Sequence, residues 1–161
     1  MLVQQQAMFQ PQLESQAAAQ YGSEGRVIPA ARTLFSDALW RGRRSRLAAF
    51  LLRRAASLKV LQLTAKQKSR LHYVGLRQVA IDRITGTESR ERGFDRRFHP
   101  TRPGLEERWA RVASARYEGI PLPPVELIRV GDEYYVRDGH HRISVARARG
   151  EKDIDALIVL G

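Results

Sequence analysis

No cysteine occurs in the 161 residues, which removes disulfide frameworks, thiolate metal sites and cysteine nucleophiles together. Nor is there a run of about 18 apolar residues of the kind a membrane span needs. The opening Met1-Leu2-Val3-Gln4-Gln5-Gln6 has no basic flank leading into an apolar stretch of signal-peptide length. These absences set the expectation of a soluble, cytoplasmic protein. Acidic residues are scarce where the chain begins. Residues 1–72 hold three (Glu14, Glu24, Asp37) against twelve Lys and Arg, whereas the remaining residues hold fourteen against sixteen. The formal charge of +11 therefore sits mainly in the N-terminal region and points to an anionic partner, with nucleic acid as the leading expectation.

With 43% hydrophobic residues the chain can build one core of ordinary size, with an appendage but no second complete domain. Residues 1–32 read as a flexible tail, rich in Gln, Ala, Ser and Gly up to residue 25. Residues 33–74 read as a basic helical region. There Leu47, Leu51, Ala55 and Leu58 recur at helical spacing, Gly42 is expected to break or kink the run, and Arg41, Arg43, Arg44, Arg46, Arg53 and Arg54 fill the other faces. Thr64 followed by Gln67 has the form of a capping box for a short helix to about Leu71. Residues 75–161 read as an α/β domain. Its expected order is a strand from Gln78 to Ile84, a polar loop from Thr85 to Pro103, a helix from Gly104 to Glu118, strands Pro124–Val130 and Glu133–Arg137 joined by Gly131-Asp132, a helix His140–Arg149 and a strand Ile154–Leu160.

The chemistry concentrates in Asp138-Gly139-His140-His141-Arg142, placed between a strand and a helix. A helix's first turn presents unpaired N–H groups and the positive end of its dipole, so it favours an anion. Gly139 permits a tight turn and close approach to a ligand. Arg142 offers a bidentate donor for phosphate, the histidines offer donors or a proton-transfer group near neutral pH, and Asp138 can orient a histidine, hold a metal or act as base. The bland alternative is an Asp-Gly turn, an ordinary cap and two solvated histidines. Adjacent histidines point about 100° apart on a helix, so the one-face pair of a zinc helix is not formed and no metal site is expected.

The stretch Val125-Glu126-Leu127-Ile128-Arg129-Val130-Gly131-Asp132-Glu133-Tyr134-Tyr135-Val136-Arg137-Asp138-Gly139-His140-His141-Arg142-Ile143-Ser144-Val145-Ala146 resembles the core of ParB-like domains, in which a hairpin delivers a Gly-x-x-Arg helix to a nucleotide or nucleic acid. Val79-Ala80-Ile81-Asp82-Arg83-Ile84 resembles the first strand of the same domain. The resemblance is to the ParB/sulfiredoxin superfamily and covers residues of about 75–160. It implies an α+β fold, a small mixed sheet with packed helices, here preceded by the basic helical region.

The branches of that superfamily differ in their chemistry. Sulfiredoxins carry a catalytic cysteine where this chain has His140, so that activity is not expected. Partition-type ParB proteins bind CTP through a Gly-Glu-Arg-Arg motif, of which only Gly139 and Arg142 carry over. They also use a downstream helix-turn-helix, whereas the sequence closes at Gly161, so full chromosome partitioning is not expected either. ParB-like nuclease domains would implicate Asp138, His140, His141 and Arg142 in phosphodiester binding or cleavage, with Gly139, His141 and Arg142 holding phosphate. The superfamily's serine kinases share the Asp-Gly-His motif and place a catalytic glutamate shortly after the first strand, where this chain has Glu88. These alternatives, together with a non-catalytic nucleotide-binding scaffold, leave room for a nucleotide and for Mg²⁺.

Two further segments carry weight. Arg90-Glu91-Arg92-Gly93-Phe94-Asp95-Arg96-Arg97-Phe98-His99 interleaves arginines with aromatics, a composition suited to phosphate contacts and stacking through Arg96 and Arg97, or else to a loop whose two phenylalanines pin it to the core. Trp40, Trp109, Tyr134 and Tyr135 read as packing residues. Around Leu47, an anionic membrane surface competes with nucleic acid for the arginines.

Overall fold

The computed structural model describes residues 26–53, 55–89 and 93–160. The expected tail falls mostly outside these residues, as do Arg54, Arg90, Glu91 and Arg92.

Helix α1 spans Pro29–Leu51, with proline in its first turn where no intrahelical N–H bond is lost. It is followed by β1 (Lys59–Val60), the four-residue α2 (Ala65–Lys68), β2 (His72–Ala80), a single 3₁₀ turn over Ile81–Arg83, and β3 (Ile84–Thr87). Helix α3 (Glu106–Tyr117), the hairpin β4 (Val125–Val130) and β5 (Glu133–Asp138), helix α4 (His140–Ala148) and β6 (Asp153–Leu160) complete the described chain. The six strands form one mixed sheet in the order β1-β3-β5-β4-β6-β2. The β1/β3, β3/β5 and β4/β6 pairs are parallel, and β4/β5 and β2/β6 are antiparallel. This is the α+β architecture expected from the sequence. The hairpin turns where predicted: Val130 pairs with Glu133, and Gly131 takes the positive φ (60°) that its turn position wants.

Helices α1, α3 and α4 build the core on one face of the sheet. Trp109 of α3 is fully buried, meets Phe35 of α1 edge-on at 5.5 Å between ring centroids, and donates its indole N–H to Ser144 Oγ of α4 at 2.8 Å. One tryptophan thus touches both neighbouring helices. Val79, Val125, Leu127, Val136, Ile154, Ala156 and Ile158 supply the sheet's side of the same core.

Three sequence expectations change. Helix α1 passes straight through Gly42 and stops at Leu51, short of Ala55 and Leu58, whose spacing continued the helical pattern. The glycine does not break the helix, because it serves a close approach: a Cβ there would lie 2.3 Å from the carbonyl oxygen of Pro100 and 3.2 Å from His99 Cβ. That packing offsets the ~1 kcal/mol propensity deficit of a mid-helix glycine. The docked face is Ala31, Phe35, Ala38 and Gly42, so Leu47 and Leu51 point to solvent, and Leu58 is buried from an extended segment rather than a helix. The expected strand Gln78–Ile84 is two strands. Its first part extends back to His72 and pairs with β6, Ile81–Arg83 form the 3₁₀ turn, and the second strand, β3, starts at Ile84, runs through Thr87 where loop was expected, and lies beside β5. Trp40, read as packing, is exposed. The capping box is present, with Thr64 Oγ1 accepting from Gln67 N and Gln67 Oε1 accepting from Thr64 N, but it opens only one turn of helix.

Candidate functional site

Strand β5 ends on Asp138, and Gly139 turns the chain into α4 with φ of 102°. The glycine is required twice over. Its φ belongs to the region that L side chains avoid, and a Cβ would fall 2.5 Å from Val125 Cγ1 on the adjacent strand. The first helical bond runs from Ile143 N to Gly139 O at 3.0 Å. No side chain among the described residues caps the helix and its first turn holds no acid; the nearest carboxylate, Asp138 just before the turn, is engaged by Arg142.

The motif's side chains have separate tasks. Arg142 donates through Nη1 to the carbonyl oxygens of Pro123 (2.6 Å) and Pro124 (2.8 Å), and through Nη2 to the Asp138 carboxylate. It is a strut that ties α4 to the extended entry into β4, and Asp138 is its counterion. His140 shares a hydrogen bond of 2.8 Å between Nε2 and Thr87 Oγ1 at the end of β3, and its ring stacks on Phe94 at 6.2 Å and 17°. His141 meets the same Phe94 edge-on at 5.2 Å, and its Nδ1 is buried with no hydrogen-bond partner among the described residues. Burial, reinforced by the positive charge of Arg108 and His140, pushes the His141 imidazole down to about 4 against a weaker opposing pull from Asp138. At neutral pH it is an uncharged ring.

The loop that brings Phe94 to the histidines is held by Asp95. This carboxylate is almost wholly buried, and it accepts from the backbone N–H groups of Arg97 (2.8 Å) and His99 (2.9 Å) and pairs with His99 Nδ1 (3.0 Å). Burial works to raise its pKa, but the hydrogen bonds and charge of His99, with help from Ser45, hold it below the ordinary carboxylate value. Phe98 completes the turn with φ of 60°, an uncommon value for a bulky residue, while fully buried and 6.4 Å from the His140 ring. The two phenylalanines therefore pin the loop, and Arg96 and Arg97 are exposed on the turn between them.

Glu88 follows β3, and both of its oxygens are engaged by Arg137 of β5, at 2.8 Å and 3.4 Å. It lies on the neighbouring strand ends but is held in an ion pair. Arg43, Arg44, Arg46 and Arg53 are exposed, and none forms an ion pair among the described residues. Among the described residues no group of three His, Asp or Glu side chains is arranged to hold a metal ion. Thr87 and Arg108 are the site components that motif reading missed, and Phe94, expected to stack or to pin its loop, was not expected against the two histidines. The Thr87–His140 contact joins residues 53 apart, and no local pattern announces it.

The depressed His141 value has a measurable consequence. The unfolded chain takes up this proton near 6.5, and the folded chain resists it until about 4. Across that window the unfolded state binds more protons, so stability rises with pH, by on the order of 2 kcal/mol for a partly exposed ring. The His141 ring resonances should titrate near 4, and His141→Gln should flatten the pH dependence of the urea midpoint between those two values. A ring titrating near 6.5 would contradict the desolvated site.

No family model matches the chain. No curated protein matches it either. Among solved structures it is similar to sulfiredoxin from Arabidopsis thaliana, with 19% identity over 53% of this chain and 85% of that one and a TM-score of 0.40. It is also similar to a Pnob8-like ParB-N domain, with 17% identity over 57% of this chain and 32% of that one, again with a TM-score of 0.40.

Proposed function

We propose that the chain is a phosphate-binding domain whose ligand is nucleic acid. The observation that carries the reading is the exposed set Arg43, Arg44 and Arg46 on α1, which form no ion pair among the described residues. Between Asp37 and Asp82 the chain has no Asp or Glu and eleven Lys and Arg; Lys59 reaches Glu133, but these three arginines have no such partner among the described residues. A polyanion supplies one, and releases its own counterions in doing so. The uncapped first turn of α4 adds a site for a single phosphate, met by backbone N–H groups rather than by Arg142, whose donors serve Pro123, Pro124 and Asp138. The phosphate of a nucleotide would meet the same groups.

The reading is one of binding. Asp138 is held by Arg142 and His140 by Thr87, and an imidazole that protonates only near 4 is a weak base, and no acid, at neutral pH. A serine-kinase reading needs Glu88 as a free base, whereas Arg137 holds both its oxygens.

The test is fluorescence anisotropy of a labelled duplex or single-stranded oligonucleotide across a salt series. Binding should weaken steeply with salt. Replacing Arg43, Arg44 and Arg46 with Gln should lower the slope of log K against log salt by about 2–3. An affinity independent of salt, or unchanged in the triple variant, would remove nucleic acid as the ligand.

A further inference from the structure

Helix α1 has two apolar faces, and the core uses only one. Trp40, Leu47 and Leu51 recur at i, i+7 and i+11, and Trp40 lies about 140° around the helix from the docked Phe35. With Phe50 and Leu52 they form a series of large apolar side chains from the middle of α1 to just past its C-terminal end, each 60 to 79% exposed. Exposed apolar clusters of this kind mark interaction surfaces rather than ordinary solvent-facing residues.

The charge around the cluster narrows its occupant. Arg43 and Arg44 stand three and four residues after Trp40 and so share its side of the helix, and Arg53 follows the helix end. A second copy of α1 would set arginine against arginine, and the segment from Ala38 to Ile81 contains no carboxylate to relieve it. A nucleic acid satisfies the arginines and can stack on Trp40, but its hydrated backbone has no use for Leu47, Phe50, Leu51 and Leu52. An anionic bilayer accepts both components at once: phosphate headgroups meet the guanidinium groups while the apolar side chains enter the acyl boundary.

We propose that the C-terminal end of α1 docks on an anionic lipid surface, lying on it through Trp40, Leu47, Phe50, Leu51 and Leu52. No helix among the described residues is long and apolar enough to cross a membrane, so the contact is interfacial. The surface is separate from the α4 turn and shares Arg43 and Arg44 with the proposed nucleic-acid contact, but its apolar part, Trp40, Leu47, Phe50, Leu51 and Leu52, is its own, and the proposal does not rest on nucleic-acid binding.

The sequence provides its own reporter, since the chain has two tryptophans and Trp109 is fully buried. The full chain is mixed with phosphatidylcholine vesicles containing about one third phosphatidylglycerol, with pure phosphatidylcholine vesicles as the comparison. Trp40 emission should shift to the blue and become quenchable by brominated acyl chains on the anionic vesicles only. The double variant Leu47→Gln/Leu51→Gln keeps the net charge and removes no buried side chain. Its vesicle binding should fall by roughly tenfold or more, and its oligonucleotide affinity should stay unchanged. Failure of the chain to bind anionic vesicles, or binding by the double variant at full strength, overturns the proposal. Arg43 and Arg44 face the anion in either reading, so the two are separated by the leucine variant, which leaves every arginine in place: loss of vesicle binding with oligonucleotide affinity intact is specific to the lipid surface.

Discussion

Gly139→Ala is expected to destabilise the protein by about 3 kcal/mol and to displace the turn that opens α4. Two penalties combine. A φ of 102° lies outside the basins open to alanine, and the new Cβ would come within 2.5 Å of Val125 Cγ1 and 2.8 Å of Val125 Cβ. Val125 cannot withdraw, because it is buried in β4 between β5 and β6. The strain must instead be relieved by moving the start of α4, which carries His140 and His141 away from Thr87 and Phe94. Urea unfolding gives the stability, and the His140 and His141 ring shifts report the displacement. Gly104→Ala is the matched control: its φ is not in the left-handed region and nothing lies within 4 Å of its added Cβ, so its effect should stay near zero. A Gly139→Ala protein as stable as the parent, with unmoved histidine resonances, would refute this account of the turn.

Trp109→Ala should have the largest effect on stability, about 3–5 kcal/mol. The indole is fully buried between α1 and α4, and its removal opens a cavity bounded by Phe35. The Ser144 hydroxyl, itself buried, loses its donor in the same change. Set against a typical total of about 5–15 kcal/mol, this leaves a marginal fold. Trp109→Phe refills part of the volume without restoring the hydrogen bond, so it should fall between the parent and the alanine variant. The urea midpoints of the three proteins test this order. Equal losses for Phe and Ala would mean that the hydrogen bond, rather than the packing, dominates.

Much of the C-terminal half was legible in the sequence. The β4–β5 hairpin, the helix after Gly139 and the final strand appear where alternation, a Gly-containing turn and helical spacing place them, since each depends on residues a few positions apart. The basic region was less legible. Its apolar positions at 47, 51, 55 and 58 have helical spacing, yet the helix ends at Leu51 and packs through Ala31, Phe35, Ala38 and Gly42. Small residues make a weak hydrophobic signal but allow close approach, so the face with the stronger apolar pattern was not the one that docks. The division of β2 from β3 was also hidden, because one apolar run cannot say that its two halves join opposite sides of a sheet.

Within the candidate site, sequence alone determined the glycine turn from β5 into α4. Asp-Gly at a strand-to-helix junction, with no acid in the first turn that follows, is a local arrangement with a local electrostatic consequence. The same sequence determined the excess of positive charge and the exclusion of cysteine chemistry. Tertiary structure decided what each side chain does there. It turned Arg142 from a phosphate donor into a strut on Pro123 and Pro124, paired Glu88 with Arg137, and seated His140 and His141 on Phe94. It also left Trp40, Leu47 and Leu51 facing outward. The physical reason is separation along the chain: hydrogen bonds and desolvation depend on neighbours in space, here as many as 53 residues apart, and no short motif records them.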